Sequence, residues 1–278
     1  MPVTAEAVGA KLDALQHSWD EKDVILYALG VGAGTDELEY TYEGSNVRTL
    51  PTFGVIPAFP ALAGIGRVMS FNPMMLLHGE QKLTLHRPIP TSGTVTTEGE
   101  VKHVWDKGKG AVVVIDAVSV DSKDEPLFTN TFTTFIRGEG GFGGDRGPSG
   151  AKNVPPEREP DMTVELPTSH NQALLYRLSG DRNPLHADPN FASMGGFPKP
   201  ILHGLCTYGI VGRAVLNEFC DKDPARFRSY DARFAGVVYP GETIVAQFWK
   251  EGGQVFIRAT TKERGEPVLE QAVVEIRD

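Results

Sequence analysis

The sequence predicts an α+β fold in which one unit occurs twice, each copy being a long helix wrapped by an antiparallel sheet. Short stretches recur in the same order at a nearly constant offset: ILYALGVGAG at 25–34 with LLYRLSGDRN at 174–183, and PTSGTV at 90–95 with VYPGET at 238–243. Each half also continues from an apolar helical stretch into a run of alternating, β-branched segments. Recurrence of this kind indicates a duplicated domain.

The first half, residues 1–137, is expected to be one copy. Its strand-like runs are GTVTTEGEVKHVW, GAVVVIDAVSVD and FTNTFTTFIRG. Its central segment, VIPAFPALAGIGRVMSFNPMMLLHGE, contains Pro57, Pro60 and Pro73, which we expect to break or shorten a helix there.

Residues 138–160 hold seven glycines and four prolines, a composition typical of a linker. The second half, 161–278, is expected to be the other copy. ILHGLCTYGIVGRAVLNEF at 201–219 has apolar or small residues at helical spacing, and Gly204, Gly209 and Gly212 suit a helix that a sheet approaches closely. The remainder alternates, with turns at YPGE, KEGGQ and ERGEP.

The composition is that of a globular protein, with 40% hydrophobic and 23% charged residues in 278. A net charge of −9 argues against a general nucleic-acid surface. Two cysteines are too few for a disulfide framework, and no apolar run reaches the roughly 18 residues of a membrane span. The N-terminal residues lack the pattern of a secretory signal peptide, and the last four residues, EIRD, do not match a peroxisomal targeting signal. We therefore expect a soluble, cytoplasmic protein.

The motif LSGDRNPLHADPNFA at 178–192 places Asp181 and His186 five residues apart. Gly180 and Pro184 interrupt regular structure, so the two side chains can converge on one point in a bent loop. This arrangement has two interpretations: an Asx-turn that leads into a helix N-cap, or an acid–base pair.

The segment YRLSGDRNPLHADPNFA resembles the signature of the hydratase 2 enzymes, the (R)-specific enoyl-CoA hydratases of the MaoC-like group. PILHGLCTYG, HGEQKL and VWDKGKG extend the resemblance over the whole chain, in the two-repeat form found in the peroxisomal multifunctional enzyme. The resemblance implies a double hot dog fold and hydration of trans-2-enoyl-CoA to (3R)-3-hydroxyacyl-CoA in fatty-acid β-oxidation or related lipid metabolism. Acyl-CoA would be the substrate, with no separate cofactor, and we expect a homodimer.

Hydration adds water across Cα=Cβ, so the reaction needs an acid–base pair rather than a serine or cysteine nucleophile. Charge that develops on the thioester oxygen suits an N–H at a helix N-terminus, and HGL opens the predicted central helix. The resemblance assigns the catalytic pair to Asp181 and His186, an orienting role to Asn183, and the oxyanion donor to Gly204. Which member of the pair moves which proton stays open.

The resemblance also implies substrate contacts, each of which has a plainer structural interpretation. His78 and Gly79 would lie beside acyl-CoA, Lys107 would approach the CoA phosphates, and Phe234 would pack near the thioester. Within the motif itself, the predicted substrate-binding residues are Arg182, Pro184 and Leu185.

Other chemistry is disfavoured. GVGAGTDE resembles a dinucleotide loop, but it lacks the strand–loop–helix context and the repeat explains it better. His203 and Cys206 have no second pair at ligand spacing, so we expect no metal site. The open alternatives to a hydratase are an acyl-CoA thioesterase and a non-catalytic acyl-CoA or lipid-binding protein.

The first half is expected to be catalytically silent, because alignment of Tyr27 with Tyr176 puts Gly32 opposite Asp181 and Glu37 opposite His186. A domain that has no catalytic role can keep its fold while the residues of its interior change. We therefore expect its disrupted helix to leave apolar space for the acyl chain.

Overall fold

The fold contains two groups of five strands, and the strands of the two groups are arranged in the same order. The computed structural model describes residues 1–277, apart from the side chain of residue 63. The strands of the first group are β1 (Leu15–Trp19), β2 (Leu76–Leu85), β3 (Gly93–Asp106), β4 (Gly110–Val120) and β5 (Pro126–Arg137). Those of the second are β6 (Met162–Pro167), β7 (Phe227–Phe234), β8 (Thr243–Glu251), β9 (Gln254–Thr261) and β10 (Pro267–Ile276). The orders β1-β3-β4-β5-β2 and β6-β8-β9-β10-β7 correspond strand for strand.

The predicted strands are therefore present in both halves, with antiparallel pairing along β3, β4 and β5 and along β8, β9 and β10. Along β3 and β9, buried residues alternate with more exposed ones, as the alternating sequences predict, apart from a register shift in β3 between Val101 and His103. The edge strands β1 and β6 were not apparent from the sequence, because each is only five or six residues long.

The helices are α1 (Glu21–Gly30), α2 (Leu38–Thr41), α3 (Val55–Ala63), α4 (Ile65–Val68), α5 (Gln172–Tyr176), α6 (Pro189–Met194) and α7 (Gly204–Phe219). Helix α1 begins at a reciprocal capping box, in which the backbone N–H groups of Asp20 and Asp23 each donate to the other residue's carboxylate. None of the described helices is long and apolar enough to cross a membrane.

Two compact units emerge, and they divide the chain differently from the two sequence halves. The first unit comprises residues 1–18, 54–87 and 94–152. The second comprises 19–53, 88–93 and the chain from residue 153 onward. Helices α1 and α2 thus belong to the second unit although they lie in the first half of the sequence, because they pack on α5 and α7.

Helix α7 is the long buried helix of the second unit and begins where the sequence predicted. The glycines of α7 permit close packing, as expected, but not all of the groups that pack against them belong to the sheet. A Cβ on Gly212 would lie 2.7 Å from Thr52 Cγ2 and 3.4 Å from the Tyr230 ring of β7, so the closest approach there is by the turn before α3 rather than by the sheet. A Cβ on Gly209 would lie 2.5 Å from Val31 Cγ1, so at that position the neighbour is the end of α1 rather than a strand.

The corresponding helix of the first unit is shorter, but its prolines do not cause the break. Helix α3 continues through Pro57 and Pro60 for nine residues. Pro57 lies in the first turn, where no intrahelical N–H bond is lost. The helix ends at Gly64, and Pro73 begins a separate 3-10 turn.

The glycine-rich segment predicted as a linker is in part a folded loop. The carboxylate of Asp106, at the end of β3, accepts the backbone N–H groups of Gly108, Gly141 and Gly143, each at 2.8 Å. These bonds hold the pKa of Asp106 below its usual value. Because one carboxylate gathers three N–H donors, the start of this segment is fixed to the β3–β4 turn.

Candidate active site

The motif loop reverses sharply at Gly180, whose φ of 137° is accessible to glycine and to few other residues. Asp181 Oδ1 then accepts the N–H of Asn183 at 3.1 Å. Asn183 Oδ1 accepts the N–H of Leu185 at 3.0 Å and caps the 3-10 turn Pro184–His186. The Asx-turn and N-cap interpretation is therefore correct as a description of the backbone.

The same loop also brings the predicted pair together. Potential ligand atoms of Asp181, His186 and His203 all lie within 4.8 Å of one another. His186 and His203 are buried, and their rings stack with centroids 3.7 Å apart. The bent backbone achieves this convergence, since a helix would point residues five apart in different directions.

Hydrogen bonding fixes the tautomer of His186. Its Nδ1 lies 2.9 Å from the carbonyl oxygen of Ile201, which can only accept, so Nδ1 carries the proton in the neutral ring. The lone pair of Nε2 is then the one available for proton transfer. Burial lowers the pKa of His186, opposed in part by the Ile201 bond and the charge of Asp181, so the ring is neutral at pH 7.

His203 lies directly before α7 and escaped the sequence analysis except as a rejected metal ligand. Its Nε2 lies 3.1 Å from the carbonyl oxygen of Asp181, 22 residues away. Burial, and then the charge of His186, lower the pKa of His203 to about 2. The signal available in the sequence was a histidine at the first turn of the predicted central helix.

Gly204 is the first residue of α7, so its N–H has no acceptor inside the helix. A Cβ at this position would lie 3.2 Å from the ring of Phe234, which is tighter than ordinary contact. The helix N-terminus therefore presents an N–H at a place where only glycine fits comfortably beside the aromatic ring. This arrangement suits a developing negative charge.

The end of α1 supports the loop from both sides. The side-chain amide of Gln172, in α5, donates to the carbonyl oxygens of Gly30 at 2.6 Å and Leu29 at 3.2 Å. The thiol of Cys206, in α7, donates to the same Gly30 oxygen at 3.3 Å. One carbonyl thus links the helix before the motif to the helix after it.

Three predicted substrate contacts lie in the first unit. His78 Nε2 lies 3.1 Å from the carbonyl oxygen of Glu80. The residue as a whole is partly exposed, but its ring is buried, and this burial lowers the pKa of His78 to about 4. Gly79 lies at the register shift between β2 and β5. Lys107 Nζ donates to the carbonyl oxygens of Arg146 and Pro148.

The remaining predicted contacts lie in the second unit. Arg182 and Pro184 are exposed, whereas Leu185 and Phe234 are half-buried. The Arg182 carbonyl oxygen accepts from the guanidinium of Arg177 at 2.9 Å, which braces the loop. Contact of these residues with a substrate stays a prediction.

A divalent metal would find donors in Asp181, His186 and His203. However, the two imidazole planes are only 27° apart and stacked. Nitrogen lone pairs lie in the ring plane, so those of stacked rings run side by side and do not meet at one tetrahedral centre. The arrangement suits proton transfer better than zinc, and a metal-free site stays a prediction.

Comparisons with known proteins match both halves. The family model described as the MFE-2 hydratase 2 N-terminal domain matches residues 17–138, and that of the MaoC like domain matches residues 151–272. The chain is 44% identical to a probable enoyl-CoA hydratase 2 of Dictyostelium discoideum, over 96% of this chain and 94% of that protein. It is 46% identical to the mouse peroxisomal multifunctional enzyme type 2, over 97% of this chain and 38% of the mouse protein.

Solved structures agree. A MaoC-like dehydratase from Phytophthora capsici has a TM-score of 0.91 and 34% identity, covering 99% of this chain and 98% of the other. A Mycobacterium tuberculosis protein described as having a double hotdog fold has a TM-score of 0.60 at 12% identity, covering 97% of this chain and 95% of that one. The predicted α+β double hot dog fold is confirmed.

Proposed function

Because this chain belongs to the hydratase 2 family, with an MFE-2 hydratase 2 N-terminal domain and a MaoC-like domain, we propose that it is an (R)-specific 2-enoyl-CoA hydratase. It adds water reversibly to trans-2-enoyl-CoA and forms (3R)-3-hydroxyacyl-CoA in fatty-acid metabolism. The observation that carries this proposal is the convergence of Asp181 and His186 beside the start of α7.

The pair acts on a water molecule. The Nε2 lone pair of neutral His186 and the carboxylate of Asp181 both accept hydrogen bonds, so a water between them is oriented with its oxygen lone pairs toward Cβ. One group takes the proton of the attacking water, and a proton is returned to Cα. Oxygen bonds to Cβ and hydrogen to Cα, so the product holds one water more than the substrate.

The thioester oxygen becomes negatively charged while the enolate exists. The N–H of Gly204 stabilises that charge, and removal of a single donor of this kind lowers kcat by about 10²–10³ in other enzymes. Asn183 shapes the loop by accepting the N–H of Leu185, which supports the orienting role proposed for it. Phe234 packs against the start of α7, where a pantetheine arm would pass.

The substrate contacts of the first unit, His78, Gly79 and Lys107, are part of the proposal. So are a homodimer, the acyl-binding role of the N-terminal half and the absence of any cofactor besides the CoA of the substrate. A cytoplasmic location is also proposed, although the mouse relative is named as peroxisomal. Sedimentation tests the homodimer, metal analysis tests for a bound metal cofactor, and localisation of the tagged protein tests the cytoplasmic location.

Crotonyl-CoA and a longer trans-2-enoyl-CoA test the reaction. Loss of the conjugated absorbance without release of free thiol is the expected result. Free thiol would identify a thioesterase, and no change with any chain length would indicate a binding protein or an unusual substrate.

Stereochemistry tests the family-specific part. Coupling to a dehydrogenase that oxidises only (3S)-hydroxyacyl-CoA should yield no NADH, whereas an (R)-specific dehydrogenase should. Brisk NADH formation with the S-specific enzyme would overturn the proposal.

A further inference from the structure

His203 occupies an unusual position for a residue outside the predicted catalytic set. It is 1% exposed and is the last residue before α7, with an extended backbone. Its ring stacks on His186 on one side, and its centroid is 4.9 Å from that of Tyr176. It therefore contacts one member of the pair through its face.

The edge of the His203 ring contacts Asp181, the other member of the catalytic pair. The carbonyl oxygen of Asp181 accepts from Nε2 at 3.1 Å, and since a carbonyl cannot donate, Nε2 carries the proton of the neutral ring. That bond ties the point where the Asp181 side chain leaves the backbone to the start of α7. Among the described residues, Nδ1 has no hydrogen-bond partner, so no second bond competes for the tautomer.

The charge state of His203 keeps this role constant. A pKa of about 2 leaves the ring uncharged at any pH at which the protein would work. An uncharged His203 ring can stack on His186 whether His186 is neutral or protonated. A cationic His203 would instead repel His186 once His186 accepts a proton. His203 thus holds its neighbour without competing for the transferred proton.

We propose that His203 is a positioning residue, which sets the direction of the Asp181 side chain through the Asp181 carbonyl and the plane of the His186 ring by stacking. The inference rests on the proposed hydratase function for its kinetic consequence. It acts through the two catalytic groups, and a misplacement of about 1 Å at such groups can lower the rate by about 10².

Two variants separate the edge from the face. His203→Phe keeps a flat ring but removes the donor, and His203→Gln keeps an N–H near the Nε2 position. We expect both variants to lower kcat with KM within about twofold: His203→Phe, which loses the donor, by at least about tenfold, and His203→Gln, which keeps the donor and loses only the stacked ring, by a smaller factor. His103→Phe is the matched control, because His103 stacks on Trp105 in the first unit and should leave kcat unchanged.

Two kinetic outcomes overturn the inference. One is a kcat for His203→Phe within about twofold of wild type. The other is an equal loss of kcat in both variants accompanied by an equal loss of thermal stability, which would make His203 merely structural.

Imidazole ¹⁵N NMR of the wild-type protein separates this inference from the proposed function. At pH 7 we expect His203 as the Nε2–H tautomer and His186 as the Nδ1–H tautomer, and no titration of His203 between pH 5 and 8. In His203→Phe, the His186 signals should shift. A titrating His203, or the opposite tautomer, overturns the inference even if enoyl-CoA is hydrated; the expected spectra support it even if no enoyl-CoA tested is a substrate.

Discussion

Two loops of the second unit occupy corresponding places in the repeat and use them differently. One runs from Gly32 to Glu37 after α1, and the other from Asp181 to His186 after α5. At the position of His186, the first loop has Glu37, whose carboxylate pairs with Arg213 and accepts from Asn217 Nδ2 at 2.6 Å. Both members of the ion pair are nearly buried.

The difference shows what distinguishes a structural polar group from a reactive one. Glu37 is occupied by donors, and Arg213 also donates to the carbonyl oxygen of Val31, so the cluster locks the end of α1 to α7. His186 has one nitrogen occupied and keeps the other lone pair for a substrate or water. Under the proposed function, duplication has left one loop for chemistry and one that holds the support of the other loop in place.

The largest effect should come from the reactive loop. Asp181→Asn and His186→Gln keep the size of each side chain but remove the proton-transfer group, so each should lower kcat by at least about 10². Steady-state hydration of crotonyl-CoA measures the loss, and circular dichroism checks the fold. A folded variant with near-wild-type kcat would remove that residue from the mechanism.

Glu37→Gln should affect the other property. It leaves Arg213 nearly buried without its counter-charge, so we expect the free energy of unfolding to fall by about 2 kcal/mol. Urea denaturation measures the change, and kcat at 25 °C should stay within about threefold. A loss of kcat as large as that of His186→Gln would contradict the division of labour between the loops.

Low pH should weaken the reactive region. Because the pKa of His203 in the folded chain, about 2, lies below the ordinary 6.5, the unfolded chain binds the extra proton between these values. Stability is therefore complete above pH 6.5 and should fall by about 1.4 kcal/mol per pH unit for this histidine as the pH drops. His78 should add a similar slope down to about pH 4.

Denaturation curves of wild type and His203→Gln at pH 7.0 and 5.0 measure this slope, which should be shallower in the variant. Activity has its own signature: since the pKa of His186 is lowered, the acid limb of kcat/KM should lie below pH 6.5. An acid limb above pH 6.5 would contradict the neutral His186.

The smallest effect concerns the turn of the silent loop. Gly32 has a φ of 79°, and a Cβ there would lie 3.4 Å from the Arg213 guanidinium. Gly32→Ala should therefore lower the free energy of unfolding by about 1 kcal/mol and leave kcat unchanged. A stabilised variant would show that the left-handed turn is not required.

A probe of the acyl-chain space that the sequence predicts in the first half should not be placed at Gly64. A Cβ on Gly64 would lie 3.1 Å from the Ala61 carbonyl oxygen and 3.7 Å from Leu12, so a bulky substitution there would disturb the packing of the first unit before it reached any substrate.

Local patterns predicted much of the fold and the site. Alternation predicted β3, β4 and β5, helical spacing predicted α7, and the motif predicted the approach of Asp181 to His186. These features depend on neighbours in sequence or on a backbone that bends within a few residues.

Features that depend on distant partners escaped prediction. Nothing near His203 in the sequence shows that its ring will meet Asp181 and His186, because the contact needs the chain to return after about 20 residues. The assignment of α1 to the second unit was missed for the same reason. Composition alone misjudged residues 138–152, since one buried carboxylate can order a glycine-rich loop.

The bond from Gln172 to Gly30 joins residues 142 positions apart, and this has a consequence for synthesis of the chain. At roughly 5–20 residues per second, α1 leaves the ribosome roughly 7–28 s before the residues that cover it. During that interval its buried face, which includes Val24 and Tyr27, lacks the cover that α5 and α7 later provide. The α1 helix therefore presents an incompletely covered apolar face before the loop that holds Asp181 and His186 has been synthesised.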